Sequence, residues 1–560
     1  MEPNDKLIGT LFNKGILVNK DIFTNNVPEN ILDQIESESD LLVLNSDYVD
    51  IVTQPENLVD WYEIDKYRVD SEKDRNDELY QSHLQTFKRT TVTIQNTNNE
   101  KTIKQDVTSL ETTLDNNSST FSTESSFEEK PIISSSSVPQ INSSVTIVIS
   151  HKNVPKKYTV SDFAQFFVSR YKFLENILRS RQELQNTLTI NRVLGKKERG
   201  AVSVIGLVQD INETKNGNLI ITLEDVTDRI KIFVGKKDKM LFAQAKDLVF
   251  DEVIGVSGTS GEGIIFSDTI LWPDVPHNLE MKKSPIEEYA IFLSDIHVGS
   301  NVFLPEEFSQ FIKWINGSVG NEKQRAIAHK TKYILIAGDL VDGIGIYPSQ
   351  IDELTITDIR EQYEEFVRLI SQIPSDKQII ICPGNHDAVH LAEPQSAFNE
   401  EFCSALFTLP NITLVTNPGM VTIGKTDTFS GFNVLLYHGY SFDYYVSEVE
   451  SIRNSGGYHR ADLLMKFMLK RRHMAPSFKS TPYYPSHKED PLLIKVIPDF
   501  FITGHIHYSK VANYKGVTMI CGSCWQGKTS FQEKLGHEPE PARVPVVNLK
   551  TRDVKILKFI

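Results

Sequence analysis

Gln378-Ile-Ile-Ile-Cys-Pro-Gly384-Asn385-His386-Asp387 is the stretch on which the fold turns. Its apolar run has the length and β-branching of a strand buried on both faces, and it stops at side chains able to hold a metal or move a proton. Four more segments share this form. They are Tyr289-Ala-Ile-Phe-Leu-Ser-Asp295-Ile-His297, Tyr333-Ile-Leu-Ile-Ala-Gly338-Asp339-Leu-Val-Asp342, Asn433-Val-Leu-Leu-Tyr-His438-Gly439 and Asp499-Phe-Phe-Ile-Thr-Gly504-His505-Ile-His507. In an α/β sheet, ligand sites gather beyond the carboxyl ends of strands, so these tips can converge on one place.

The residue types set the chemistry. Carboxylate, imidazole and amide oxygen without thiolate suit divalent ions such as Mn²⁺, Fe²⁺ or Zn²⁺. Asp295 and His297 stand two apart, as do His505 and His507. In extended backbone that spacing sets both side chains on the same side. One carboxylate can bridge two ions about 3.5–4 Å apart, and Asp339 is the natural bridge. Gly338, Gly384, Gly439 and Gly504 allow tight turns beside the ions. A lone Asp-x-His arises often by chance; five such strand ends in this order do not.

Composition bounds the rest. A chain of 560 residues predicts three or four domains, or two large ones with a tail. Lys plus Arg minus Asp plus Glu is 59 − 74 = −15, which excludes a protein that coats nucleic acid by bulk charge. It leaves room for a local basic groove or bound metal. Four Cys exclude a disulfide scaffold and fit a reducing interior. No apolar run long enough to cross a membrane and no basic-then-apolar start appear, so the expectation is a soluble, cytoplasmic protein with no membrane partner.

Outward from the five segments, residues 286–560 form one α/β domain. Before it, Gly200 to Pro273 alternates with period two in five or so short strands, which suits a small barrel of the oligonucleotide-binding type over 191–280. Aromatic residues are sparse on these strands, so no stacking platform for single strands is visible. Residues 151–190 hold a helix opened by a Thr159-Val-Ser-Asp162 cap, with Phe163, Phe166, Phe167, Tyr171, Leu174, Ile177 and Leu178 packing on the barrel. Residues 81–150 read as a disordered linker: Thr91 to Ser144 holds 30 Ser, Thr, Asn and Gln in 54 residues. Residues 1–80 read as a small, mostly helical module. Lys470, Arg471 and Arg472, in the densest basic run, read either as a solvated helix face or as a contact with DNA or a partner. Cys521 and Cys524 have no second pair, so they read as core thiols and not a zinc site.

The five motifs, Asp-x-His, Gly-Asp-x-x-Asp, Gly-Asn-His-Asp, His-Gly and Gly-His-x-His, resemble the calcineurin-like metallophosphoesterase superfamily. The resemblance implies an αββα sandwich following the barrel. It implies that Asp295, His297, Asp339 and His507 hold one divalent ion, and that Asp339, Asn385, His438 and His505 hold a second. Mn²⁺ is the first expectation, with Fe²⁺, Zn²⁺ or Mg²⁺ as alternatives. It makes His386 the acid that protonates the leaving oxygen, with Asp342 and Asp387 supporting the ligands from behind.

A barrel directly before such a domain looks like the small subunits of replicative polymerases. Asn385 to Gln395, His438-Gly-Tyr-Ser441-Phe-Asp443, Leu469 to Pro476, Trp525 to Gln532 and Arg543-Val-Pro-Val resemble the small subunit of archaeal family-D DNA polymerase over roughly residues 155 to 560. His390 and Tyr440 stand where that family has basic side chains. The resemblance implies a 3′–5′ proofreading exonuclease that hydrolyses terminal phosphodiesters of DNA. Its partners would be a large catalytic subunit, the primer 3′ end and a sliding clamp. Two rivals stay open: a double-strand-break repair nuclease of the same superfamily, and a non-catalytic accessory subunit.

Overall fold

The computed structural model describes residues 145–560 apart from 152–156, 185, 486–488 and 536, together with two-residue strand segments nearer the start. Of those segments, Leu17–Val18 pairs with Val43–Leu44, and Asn25–Asn26 pairs with Gln95–Asn96. The expected helical module over 1–80 and the linker up to residue 144 otherwise lie outside the described residues.

Composition misplaces one boundary. Residues 145–149, which composition assigns to the linker, form strand β1 (Val145–Ile149). Its β-branched residues pair antiparallel with Gly419–Ile423 in the second sheet of the larger domain. Four β-branched apolar residues in five are enough to extend a sheet edge, even directly after a Ser-rich stretch.

Helix α1 (Val160–Arg179) opens with the expected capping box of Thr159 and Asp162. It leads to a closed barrel of β2 (Ala201–Glu213), β3 (Leu219–Glu224), β4 (Arg229–Val234), β5 (Val253–Ser260) and β6 (Ile264–Leu271). Helix α2 (Lys239–Lys246) joins β4 to β5, its first amides accepted by Asp238. Alternation sends Ile221, Leu223, Ile232, Val234, Ile254 and Val256 inward.

The larger domain is two stacked six-stranded sheets. The first orders β10 (Ile412–Leu414), β9 (Gln378–Cys382), β8 (Thr331–Ala337), β7 (Tyr289–Leu293), β16 (Arg543–Asn548) and β17 (Val554–Lys558). The second orders β14 (Lys510–Tyr514), β15 (Val517–Cys521), β13 (Phe500–Thr503), β12 (Phe432–Leu436), β11 (Gly419–Ile423) and β1. Phe292, Leu335 and Ile380 of the first sheet meet Leu436, Ile502 and Ile520 of the second in a common core. Alternate residues of the same strands, Ile291, Ile334 and Ile379, pack outward beneath α3 (Pro305–Ile315) and α4 (Ile359–Ile370). The second sheet is covered by α5 (Ala461–Arg471). Both faces of the central strands are thus buried, which is why they read as unbroken apolar runs.

The basic run sits at the joint between barrel and sandwich, and this overturns its reading as a DNA-contacting or solvated face. Arg471 is 3% and Arg472 5% exposed. Arg471 Nε lies 2.7 Å from Glu252 Oε2, and its guanidinium covers Phe467. Arg472 donates to the carbonyls of Ile494 and Lys495. Lys470 lies 3.6 Å over the ring of Trp272. Charges separated by more than 200 residues in sequence pair here, so local charge density misleads. A second buried pair, Arg170 Nε with Asp490 Oδ2 at 2.6 Å, fixes α1 against the sandwich, and His473 shares the same carboxylate at 2.8 Å.

Arg471→Ala would leave Glu252 buried without its cation and should destabilise the protein by about 3–5 kcal/mol. Urea denaturation measures this. Unchanged stability together with weakened DNA binding would restore the DNA-contact reading.

Candidate metal centre

The tips of β7, β8, β9, β12 and β13 bring their polar residues to the head of a cleft of about 660 Å³. His297 Nε2 and His507 Nε2 are 3.0 Å apart, and His507 Nε2 is 3.5 Å from Asp295 Oδ1. Asn385 Oδ1 lies 3.0 Å from both His438 Nε2 and His505 Nδ1. Between the two groups sits Asp339 Oδ2, 3.1 Å from His438 Nε2 and 3.8 Å from His297 Nε2. The expected donors therefore meet, in two clusters with Asp339 between them. A donor atom of His386 also comes within 4.8 Å of donors on His297 and Asp339.

Local geometry departs from expectation in one respect. Asp295, His297, His505 and His507 are not extended: φ is 53°, 53°, 72° and 54°, and Asp339 has φ 52°. The side chains converge through left-handed turns directly after the strands, not through strand pleating. Such backbone is strained for a residue with a Cβ. The glycines serve close approach: a Cβ on Gly384 would stand 2.2 Å from Asp339 Oδ1, and one on Gly504 2.5 Å from Asp295 Oδ2.

Each donor is held from behind. His297 Nδ1 lies 3.1 Å from Asp342 Oδ1, whose two oxygens also accept from Gln526 and Gln350 at 2.8 Å each. His438 Nδ1 donates to the carbonyl of Ala337 at 2.7 Å, turning Nε2 to the cleft. Asp387 supports the loops rather than the donor rings: it accepts from the amides of Gly384 and Leu340 and from Tyr363 Oη. Burial and the nearby Asp339 push its pKa up to about 7. His386 Nδ1 faces the carbonyl oxygen of Asp342 at 2.7 Å.

Electrostatics favour a cation here. Burial works against the charged form of His438, yet Asp339 and Asp295 push its pKa up to about 10. Burial likewise works against ionised Asp339, but His438, His386 and His297 hold it well below the usual carboxylate range. With Nδ1 committed to Ala337, His438 Nε2 faces two oxygen acceptors, an arrangement satisfied only by a proton or a cation. The donor set therefore fits divalent ions.

Two positioning residues escape sequence reading. Asp443 Oδ2 lies 2.9 Å from His505 Nε2, and Gln532 Nε2 2.9 Å from His507 Nδ1. Both fall in segments that carry the polymerase resemblance, yet no motif gives them a role. Tyr440 stacks obliquely near His505, ring centroids 5.7 Å apart, and exposed His390 lies 3.2 Å from Tyr484 Oη.

Comparison with known proteins places the chain in a family. A family model for the B subunits of DNA polymerases alpha and epsilon matches residues 290–511. The "DNA polymerase II small subunit" of Methanothermobacter thermautotrophicus is 39% identical over 400 residues, covering 71% of this chain and 80% of its own. The protein of that name from Archaeoglobus fulgidus is 41% identical over 389 residues, covering 69% and 75%. The chain belongs to the family of archaeal DNA polymerase II small subunits. Its match to the Pyrococcus furiosus member, 37% over 404 residues, spans 71% of this chain and 64% of that relative. Among the described residues, no helix is long and apolar enough to cross a membrane.

Asp443→Ala should free the His505 ring and weaken Mn²⁺ binding roughly 10- to 100-fold, the usual effect of removing a residue that orients a ligand. Calorimetric titration with Mn²⁺, alongside a melting curve matching the parent, checks this. Unchanged affinity would remove Asp443 from the site.

Proposed function

We propose that this chain is the 3′–5′ exonuclease subunit of a family-D DNA polymerase, working beside a large catalytic subunit. The convergence of donors from five strand ends on a shared Asp339 carries the reading. Asp295, His297, Asp339 and His507 would hold one divalent ion, and Asp339, Asn385, His438 and His505 the other. Mn²⁺ suits these donors first. The small-subunit name of its relatives supports a large partner, and a DNA 3′ end is the substrate that a subunit of such a polymerase would meet. The closed five-stranded barrel, with a helix between its third and fourth strands, is taken as oligonucleotide-binding in type.

Two bound ions supply charge neutralisation at the phosphoryl oxygens and a nucleophilic water near neutral pH. The chain does the rest. Asp342 and Ala337 orient the rings of His297 and His438 through their Nδ1 atoms. His386 keeps Nδ1 on the carbonyl of Asp342, which leaves Nε2 as the atom that carries a proton to the departing 3′ oxygen. Water adds to phosphorus as the P–O3′ bond breaks, giving a 5′ mononucleotide and a strand with a free 3′ hydroxyl.

Asp339→Ala should abolish Mn²⁺-dependent degradation of a 3′-mismatched primer, while the sheets stay folded by circular dichroism. Wild-type degradation by that variant would sink the bridging assignment.

His386→Ala should slow DNA cleavage by roughly 10²–10⁴-fold with metal content unchanged. An activated aryl phosphodiester, whose leaving group needs no proton, should lose much less. Equal losses on both substrates would mean that His386 positions the phosphate; loss of an ion would make it a ligand.

A further inference from the structure

Two walls rise beside the donors of the cleft, and both are apolar or aromatic. Next to His386 stand Ile346, Tyr347 and Leu391, from the loops after β8 and β9. Ile346 is 38% and Leu391 43% exposed, and the Tyr347 ring lies 6.5 Å from that of His386. Next to His505 stand Tyr440, Tyr458 and His537. The half-buried Tyr440 ring lies 5.7 Å from that of His505, tilted by 46°. The rings of Tyr458 and His537 lie 4.3 Å apart, and the Tyr458 hydroxyl bonds Asp443, the carboxylate that holds His505.

The cleft offers little to a phosphate beyond its metal-binding head. Among the described residues that line it there is no Lys or Arg. Lys528, next to the lining residue Thr529, is taken by Glu538 at 2.6 Å. The side-chain amides are engaged as well: Gln526 Nε2 with Ser300 Oγ and Asp342 Oδ1, and Gln532 Nε2 with His507 Nδ1. Asp443 faces the same space with the sign that repels an anion. Phosphate contacts normally come from side chains of these kinds, so here the grip on a nucleotide falls to its base and sugar.

We infer that Tyr440 grips the terminal nucleotide of the strand by stacking on its base, so that the cleft holds a 3′ end by its base and not by its backbone charge. This rests on the exonuclease reading and gives the two walls separate tasks. The departing oxygen belongs to the strand that stays, so the nucleotide carrying it lies on the His386 side, against Ile346 and Leu391. The nucleotide that leaves is on the His505 side, where Tyr440 stands. Every base has a π-face, so a tyrosine ring holds any of the four, as removal of whichever nucleotide ends the strand requires.

The test is calorimetric titration of the full chain, in Mn²⁺, with dTMP and with deoxyribose 5-phosphate, which has the same sugar and phosphate but no base. The parent should bind dTMP roughly 5- to 150-fold more tightly than the base-free compound, the range for one stacked base. Y440A should lose that difference while its affinity for deoxyribose 5-phosphate stays close to the parent's. Y440L, which fills the space without a ring, should behave like Y440A, with a melting curve matching the parent. Y440F and Y440W keep a flat ring and should keep the preference. Equal binding of the two compounds by the parent, or binding of neither, overturns the inference. So does a preference that survives Y440A and Y440L, or is lost in Y440F. Equal weakening of both compounds by Y440A also overturns it, since Tyr440 would then only support His505. Binding is read without turnover, so a dTMP preference in a chain that does not degrade DNA strikes the exonuclease reading alone. Degradation of DNA without that preference strikes this inference alone.

Discussion

Asp339, 1% exposed at the end of a central strand, is the constraint around which the rest is arranged. A carboxylate in that position would be protonated or expelled unless opposite charge and donors met it there. Oδ1 accepts the amide of His386 at 2.8 Å, and Oδ2 faces the imidazoles of His438 and His297. Asp295, buried to 0% exposure, adds a second anion close by, and its pKa too is held down, by His507 and His438, against the effect of burial. Anions and imidazoles at contact distance, most of them buried, require strands that cannot slide. Two stacked sheets with apolar residues on both faces of every central strand provide this, and each strand tip then contributes one piece.

The same logic of buried charge reappears at the joint between barrel and sandwich. Glu252 takes the Trp272 indole N–H at 2.8 Å, the amide of Val249 and the guanidinium of Arg471. Asp490 takes Arg170 and His473. Pairs of this kind add little net stability over apolar packing, but a misplaced joint would strand an unpaired charge in the interior. They therefore act as register pins. The barrel is held in one orientation on the sandwich, so its strands keep a constant relation to the donor-lined cleft.

What is legible in the sequence follows from the range of the interactions involved. The strands of the sandwich and the donors at their tips are readable because each segment states its own burial and its own chemistry within ten residues. The barrel is readable from alternation and turn glycines. By contrast, Arg471 and Arg472 look like surface cations because Glu252, Ile494 and Lys495 lie far away in the chain. Asp443 and Gln532 reach histidines on other elements, and no local pattern announces that. Strand β1 is hidden by the Ser-rich stretch before it, although its own five residues are apolar and β-branched enough to join an edge.

The left-handed backbone at the site adds a final step. Asp295, His297, Asp339, His505 and His507 share it, whereas Asn385 and His438 do not. Each such residue costs about 1–2 kcal/mol relative to right-handed backbone. Glycine would remove the strain, but glycine has no donor atom, so the chemistry and the relaxed backbone exclude one another at these positions. The strain persists only where surrounding packing over-determines the chain. Here it does: amides of the strained residues are bonded across to neighbouring tips, as Asp295 N is to the carbonyl of Gly338 and His297 N to that of Asp339. The turns thus hold one another, and the donors stand in place by the folding of the sheets themselves. A site assembled this way has little ordering entropy left to lose when a cation arrives, which is the physical content of preorganisation.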